Sequence, residues 1–354
     1  MHAPLSCLLL SILVLSHSAS SKALSKRNDP TYINRIGLGR VRLNVCSEIN
    51  YKKCFLGWDP NISYFDHADS IVCYDVQRIF SIKSIEIPYG VTCDLYSARG
   101  AGGIGVLVVE GLAKKGVKVA VLDLVDLPER VAALPNVKFC KCDITSKDDV
   151  ERAASEIRTS FGSPSILCNN AGIAHAHTIL EAAPEYLTKL FNVNVISQFY
   201  TIQAFLPGMI KANKGHVIST ASVASFITCC GLVDYAASKA AVMALNEGLQ
   251  QELKHRYNAP EIKTSIVHPI YVKTPLVTSY AKSLEKSKAV QIDPEVVANA
   301  ILRQIESGRS GKVVLPAIFA PLANARAWAD WVHQLIGDSS KDDVKNEGAV
   351  AKAG

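Results

Sequence analysis

Beyond about residue 100 the chain alternates two kinds of stretch. Short, nearly continuous apolar runs occupy residues 117–123, 137–140, 165–168, 216–220, 263–267 and 312–315. Longer stretches at 104–115, 147–161, 186–212, 233–257 and 294–307 read as helices. A run that is apolar at successive positions has both faces to bury, as a strand does when helices cover both sides of a parallel sheet. The punctuation agrees with this reading. Ser146 is placed to cap the helix at 147–161, and Gly116 and Gly162 to stop helices. Strand and helix in strict alternation predict an α/β fold, a doubly wound parallel sheet of Rossmann type, in one domain over 98–316. A segment of that size buries a substantial core.

The flanks do not share the pattern. Residues 28–97 show no sustained period and scatter Cys46, Cys54, Cys73 and Cys93. The stretch where a first strand belongs reads Ile87-Pro-Tyr-Gly-Val-Thr-Cys-Asp-Leu-Tyr96. Pro88, Gly90 and Asp94 make it a poor central strand. The expectation is that 28–97 is a gene-model artefact, translated intron or a wrong exon in place of the true first strand. Residues 8–15 are apolar and precede small residues at 16–20, so 1–27 resembles a signal peptide or membrane anchor, though it is too short to predict a span. Lys26-Arg27 fits a dibasic processing site and Asn61-Ile-Ser63 a glycosylation sequon. The apolar stretch 317–336, with Trp328 and Trp331, reads first as core packing, with a substrate lid or a membrane-surface helix as alternatives. Asp338, Lys341, Asp342, Asp343 and Lys345 then predict a frayed, solvated tail.

Candidate chemistry starts at Tyr235-Ala-Ala-Ser-Lys239. Positions four apart share a helix face, so the phenol and the ammonium can address one point. A free tyrosine, with a pKa of about 10, is a poor proton shuttle at neutral pH, and a cation within roughly 4–6 Å favours its phenolate. The rival reading is a solvated pair of no consequence. Ser222, at the end of an apolar run, lies upstream and can bring a hydroxyl to the same substrate oxygen; Ser219 reads as internal to the strand. Gly103-Ile104-Gly105 opens a helix, and its glycines let backbone approach a pyrophosphate at the helix N-terminus. Asp123 ends the next strand, where a carboxylate binds ribose hydroxyls and repels a 2′-phosphate, favouring NAD and leaving NADP open.

These motifs, in this order from about residue 100 to 316, resemble the short-chain dehydrogenase/reductase family. His268-Pro-Ile-Tyr-Val-Lys-Thr-Pro275 and Leu315-Pro-Ala-Ile-Phe319 resemble its retinol dehydrogenase-like and fungal branch. The resemblance implies an enzyme, an NAD(P)-dependent oxidoreductase moving a hydride between a nicotinamide cofactor and an alcohol or carbonyl, apolar in character: a retinoid, a steroid or a fatty alcohol or aldehyde. It implies Tyr235 as acid/base, Ser222 polarising the substrate oxygen, Lys239 holding the nicotinamide ribose and Asn194 supporting a proton relay, with a helix-packing amide as the other reading of Asn194. It further implies cofactor contacts at Asp143 and Ile144 for the adenine, at Asn170, Ala171 and Gly172, and at Pro269, Val272 and Thr274; a turn cap is the other reading of Asp143. Homo-oligomers through the helices at 186–212 and 233–257 are a family expectation. Three positions depart from the family pattern. Ala98 and Arg99 stand where its loop has Thr-Gly, Ile270 stands where Gly follows the proline, and the first strand is broken. The alternative is therefore a protein that binds the cofactor with impaired turnover or none.

Composition changes little. The net charge of +6 is dispersed over solvated faces, which gives no nucleic-acid stripe, and ten cysteines show no metal spacing. Cys140-Lys-Cys142 and Cys229-Cys230 read as reduced apolar residues. Because a secreted nicotinamide enzyme lacks a cofactor supply, the leader-like segment favours association with the endoplasmic reticulum membrane, or a cytoplasmic location, over secretion.

Overall fold

The computed structural model describes residues 103–344 and, by backbone alone, three short strands before them. The chain forms two compact units, Met1–Lys83 and Ser84–Gly354. In the first, β1 (Asn44–Cys46) pairs antiparallel with β2 (Cys54–Leu56). The leader at 1–27, the sequon at Asn61, the loop carrying Ala98 and Arg99, and residues 345–354 lie outside the described residues.

The second unit is built on seven parallel strands: β3 (Val91–Asp94), β4 (Val119–Asp123), β5 (Val137–Lys141), β6 (Ile166–Asn169), β7 (Gly215–Thr220), β8 (Ile262–Pro269) and β11 (Gly311–Leu315). Their order across the sheet is β11-β8-β7-β6-β3-β4-β5. The helices are α1 (Ile104–Ala113), α2 (Glu129–Ala132), α3 (Lys147–Phe161), α4 (Pro184–Phe191), α5 (Ser197–Ala212), α6 (Val233–His255), α7 (Ala281–Ser287), α8 (Pro294–Ser307) and α9 (Asp330–Ser339). A two-stranded parallel pair, β9 (Tyr271–Val272) with β10 (Gln291–Ile292), ties the base of the loop between them.

Strand alternation sorts the core into two layers. Val119 and Val121 face one side with Val108, Leu112, Val297 and Ile301 of α1 and α8. Ala120, Leu122 and Leu167 face the other with Val150 and Ile157 of α3, Phe205 of α5 and Leu253 of α6. Leu122, Leu167 and Ile157 are fully excluded from solvent, and each such side chain contributes about 1.5–3 kcal/mol. At the ends of α3, Ser146 accepts a hydrogen bond from Asp149 N (3.3 Å) and Gly162 stops the helix, as the sequence predicts.

Three expectations are corrected. Residues 91–94 do form the central strand, pairing with β4 on one side and β6 on the other. Pro88 and Gly90 fall before the ladder, Val91 and Thr92 are β-branched, and four residues suffice when both neighbours are in place. The helix predicted at 186–212 is interrupted by a π-helical turn at Asn192–Ile196. The tail is not frayed up to 344: α9 forms, and Val344 is 3% exposed.

Chain order reverses between β3 and β6, which sends the crossovers to opposite sides and opens a crevice at the carboxyl ends of the strands. Asp123, Asn169, Thr220 and Pro269 all end strands at that edge.

Candidate active site

Ser222 leaves β7 as the cap of a 3-10 turn, its Oγ accepting from Ala224 N (3.1 Å) and donating to Pro269 O (3.3 Å). Ser219, two positions inside the strand, donates to Gln198 Oε1 (2.9 Å) and is fully buried, as its strand-internal reading requires. Tyr235 lies in the first turn of α6, 8% exposed, with its hydroxyl near enough to the Ser222 side chain for the serine to act on its ionisation. Lys239, one turn further on, donates to Thr220 O (2.8 Å) from a buried position.

The spacing places both groups as the helix face demands, but their electrostatics differ from expectation. Burial pushes the Tyr235 phenol up to about 12; the Ser222 side chain pulls the other way and Cys229 adds to the rise. Lys239 is no counterweight, because its Nζ stands 5.7 Å from the centre of the tyrosine ring and is engaged by the Thr220 carbonyl. The phenol therefore keeps its proton over the neutral range in this arrangement.

Asn194 sits inside the π-helical turn, an element that recurs at functional sites. Its Oδ1 accepts from Ile173 N (2.8 Å) and its Nδ2 donates to Ile173 O (3.0 Å) and Ser238 Oγ (2.9 Å). It thus clamps the loop after β6 to α6, a packing role. The clamp brings Gly172 against the lysine: a Cβ there would stand 3.3 Å from Lys239 Nζ and 3.5 Å from Asn194 Oδ1. Asn170 Oδ1 accepts from Thr220 Oγ1 (3.1 Å), and Ala171 is buried.

The residues expected to hold a nicotinamide cofactor divide into two sets. Gly103 is the N-cap of α1 with no side-chain cap and no acid in the first turn, and Ile104 and Gly105 follow it, a helix N-terminus of the kind that suits a phosphate. Asp123 is 5% exposed at the end of β4, with Oδ1 accepting from Val125 N (3.0 Å). This set fits the group. Asp143 and Ile144 fit it less directly. The Asp143 carboxylate accepts from Thr145 N (2.9 Å) and Oγ1 (2.7 Å), the turn-cap reading, and Ile144 is wholly in the core. Pro269 ends β8, Val272 is packed against α8, and Thr274 starts the 3-10 turn at Pro275–Tyr280.

Several groups at the site carry no sequence signal. His268 is fully buried, its Nδ1 2.8 Å from Ser225 Oγ and 3.1 Å from Ser222 O, its ring stacked on Phe226 at 4.3 Å. Burial holds the imidazole down to about 4, so the neutral ring pins the Ser222 turn to β8. His177 Nε2 meets Asp234 Oδ2 (3.0 Å), and Asp234 Oδ1 accepts from Tyr235 N (2.8 Å), which fixes the start of α6. Tyr186, Tyr271 and Tyr280 pack into the apolar cluster with Tyr235, and burial raises all three hydroxyls above their ordinary range. They come from α4, β9 and the turn at Pro275–Tyr280, so no single local period marks them. Among the described residues no group of three His, Cys, Asp or Glu is placed to hold a metal, and no helix is long and apolar enough to cross a membrane.

The comparisons with known proteins follow from this geometry. The family model described as short chain dehydrogenase matches residues 99–285. Dehydrogenase RED2 of Cochliobolus heterostrophus is 44% identical over 167 residues, 47% of this chain and 63% of the relative. The matched segments span less than two thirds of either fungal relative, 63% of RED2 and 66% of Dehydrogenase RED3. Estradiol 17-beta-dehydrogenase 11 of Pongo abelii is 31% identical over 61% of this chain and 72% of its own, and retinol dehydrogenase 10 of Rattus norvegicus 37% identical over 38% and 39%. Among solved structures, a 3-ketoacyl-(acyl-carrier-protein) reductase from Brucella melitensis complexed with NADH shares the fold. It superposes with a TM-score of 0.55 at 24% identity, over 64% of this chain and 96% of that one.

Proposed function

Because this chain belongs to the short-chain dehydrogenase family of nicotinamide-dependent oxidoreductases, we propose that it interconverts an apolar alcohol and its carbonyl, with Tyr235 exchanging a proton with the substrate oxygen. The observation that carries the reading is the placement of Tyr235 beside Ser222, with Lys239 one turn away, at the carboxyl edge where the sheet order reverses. The nicotinamide, when bound, supplies or accepts the hydride. Gly103, Ile104 and Gly105 would hold its pyrophosphate, Asp123 the adenine ribose, and Asn170, Ala171 and Gly172 with Lys239 the nicotinamide end. Pro269, Val272 and Thr274 would border the carboxamide, and Asp143 and Ile144 the adenine.

Ser222 orients and polarises the substrate oxygen while Tyr235 donates to it. Burial keeps the phenol protonated at neutral pH, as donation requires, but makes it a reluctant acid. Acting as a base, the phenol needs positive charge brought closer, and Lys239 is the group positioned to provide it. Asp123 favours NAD over NADP, since a buried carboxylate repels a 2′-phosphate. An apolar substrate is supported by the lining: Ile173, Leu232, Val277 and Tyr280 form one cluster with Tyr235. Relatives named for retinol and estradiol point the same way. Pairing of two copies through α5 and α6 belongs to the same reading, as does association with a membrane surface.

The test is a panel of alcohols and carbonyls with each nicotinamide cofactor. Turnover of apolar members, faster with NAD(H) than NADP(H), is expected. A chain inert to the whole panel sinks the proposal. A second reading, cofactor binding without turnover, is favoured by Arg99, which stands where the family has a glycine. Titration with NADH, followed by nicotinamide fluorescence, separates the two when set beside the panel.

A further inference from the structure

The strip of chain after α9 makes contacts that the reaction proposed above does not require. Val344 is 3% exposed and belongs to the cluster that contains Tyr235, Leu232, Tyr280 and Leu284. It lies directly against Gly231: a Cβ built there would be 2.7 Å from Val344 O and 3.1 Å from Val344 Cγ1. Gly231 itself has φ of +80°, a conformation that L side chains rarely adopt, so the loop entering α6 is shaped to accept the strip. On the other side, Ser283 Oγ of α7 donates to Asp342 O (3.0 Å), and Ser287 of the same helix lies near enough to the Asp343 carboxyl to oppose the rise that burial causes in its pKa. Residues 342–344 therefore bridge the loop before Tyr235 and α7, across the apolar cluster that contains Tyr235. Cys229, 3.5 Å from Tyr271 OH, packs beneath this bridge in the same cluster.

We infer that residues 342–344 form a strap that closes the apolar pocket beside Tyr235, and that Val344 is a specificity-determining residue whose side-chain volume limits the length of substrate the pocket takes. The inference rests on the reaction assigned above for its selectivity half; the closure itself does not. The strap is held by side-chain packing and the Ser283 hydroxyl, not by a strand ladder, so it is able to open without disturbing the sheet.

Two measurements on the full chain test it. The first needs no turnover: peptide-resolved iodoacetamide labelling of Cys229 in the wild type and in Val344→Asp. The carboxylate cannot remain among these apolar neighbours, so labelling of Cys229 rises about tenfold or more. Cys140 and Cys168, buried in the sheet layers, stay protected and report that the fold is intact. Unchanged Cys229 labelling overturns the strap. The second is kcat/KM for a series of alcohols of increasing chain length. Val344→Ala raises the ratio of long to short by about tenfold and Val344→Trp lowers it comparably. Equal effects on every length overturn the specificity assignment. A wild type inert to the whole series overturns the oxidoreductase reading and the selectivity claim with it, while the labelling result still decides the strap.

Discussion

The two sides of the crevice are built by different rules. On the side proposed to take the cofactor, β3 to β5 and α1 to α3 follow one another in the chain, and β4, β5, α1 and α3 each carry their own local pattern. On the substrate side, the loop after β6, the turn before α6, the segment 275–292 and the strap at 342–344 meet only in space. The cofactor side is locked by a hydrogen-bonded ladder with both faces covered, whereas the substrate side is held by side-chain packing around Tyr235. The lesson is a division of labour. The ladder fixes where the reacting groups stand, and the packed loops can change selectivity at small cost to the frame.

The strongest test of that division is Tyr235→Phe. It removes the proton donor and costs turnover about 10²- to 10⁴-fold. NADH binding by fluorescence titration stays within about twofold, and stability changes by no more than about 1 kcal/mol on loss of the buried hydroxyl. Full activity in the variant would break the comparison at its centre.

Next in size is an acid effect that spans both sides. Burial holds His216 and His268 down to about 4, His216 bonded to Ser265 in the sheet and His268 under the Ser222 turn. Unfolded, each takes a proton near pH 6.5; folded, each refuses it until about pH 4. The stability they contribute is thus complete above pH 6.5 and is lost as pH falls toward 4, by up to about 3 kcal/mol each. Urea unfolding at pH 7.5 and pH 4.5 measures the loss, and His216→Gln should shrink it. An equal loss in that variant argues against His216 as a source.

Gly172→Ala probes the join between the two sides. The added methyl must move Lys239 Nζ by a few tenths of an ångström, while it meets Asn194 Oδ1 at ordinary contact. A drop in kcat of about tenfold, with the melting temperature little changed, is the expected outcome. Smallest of all, Asp123→Ser should shift the ratio of NADPH to NADH affinity by a few-fold up to about tenfold, equivalent to about 1 kcal/mol, without touching substrate selectivity. Competition of the two cofactors for the variant measures it, and an unmoved ratio would remove Asp123 from the ribose assignment.

Much of this was legible in advance. Runs such as Val119–Asp123 and Ile166–Asn169 announce buried parallel strands because successive apolar residues have no other use. The catalytic candidates are legible for a similar reason: helical spacing alone brings Tyr235 and Lys239 to one face. The central strand was misread because Pro88 and Gly90 were counted against a ladder that begins only at Val91. The tail was misread because its alternating charges hide one apolar residue, Val344, whose partner Gly231 lies far away in the chain. The acidity of Tyr235 was misjudged because spacing sets distance to the lysine along the helix and says nothing of burial or of the Thr220 carbonyl.

The order of residues by itself determined the alternation of strand and helix, the family, and the helix face shared by Tyr235 and Lys239, since these depend on periods a few residues long. Only the tertiary structure decided how hard the phenol is to ionise, that His268 braces Ser222, and that residues 342–344 reach the pocket. Each of those depends on desolvation or contact between segments dozens to more than a hundred residues apart, a distance at which local propensity carries no information.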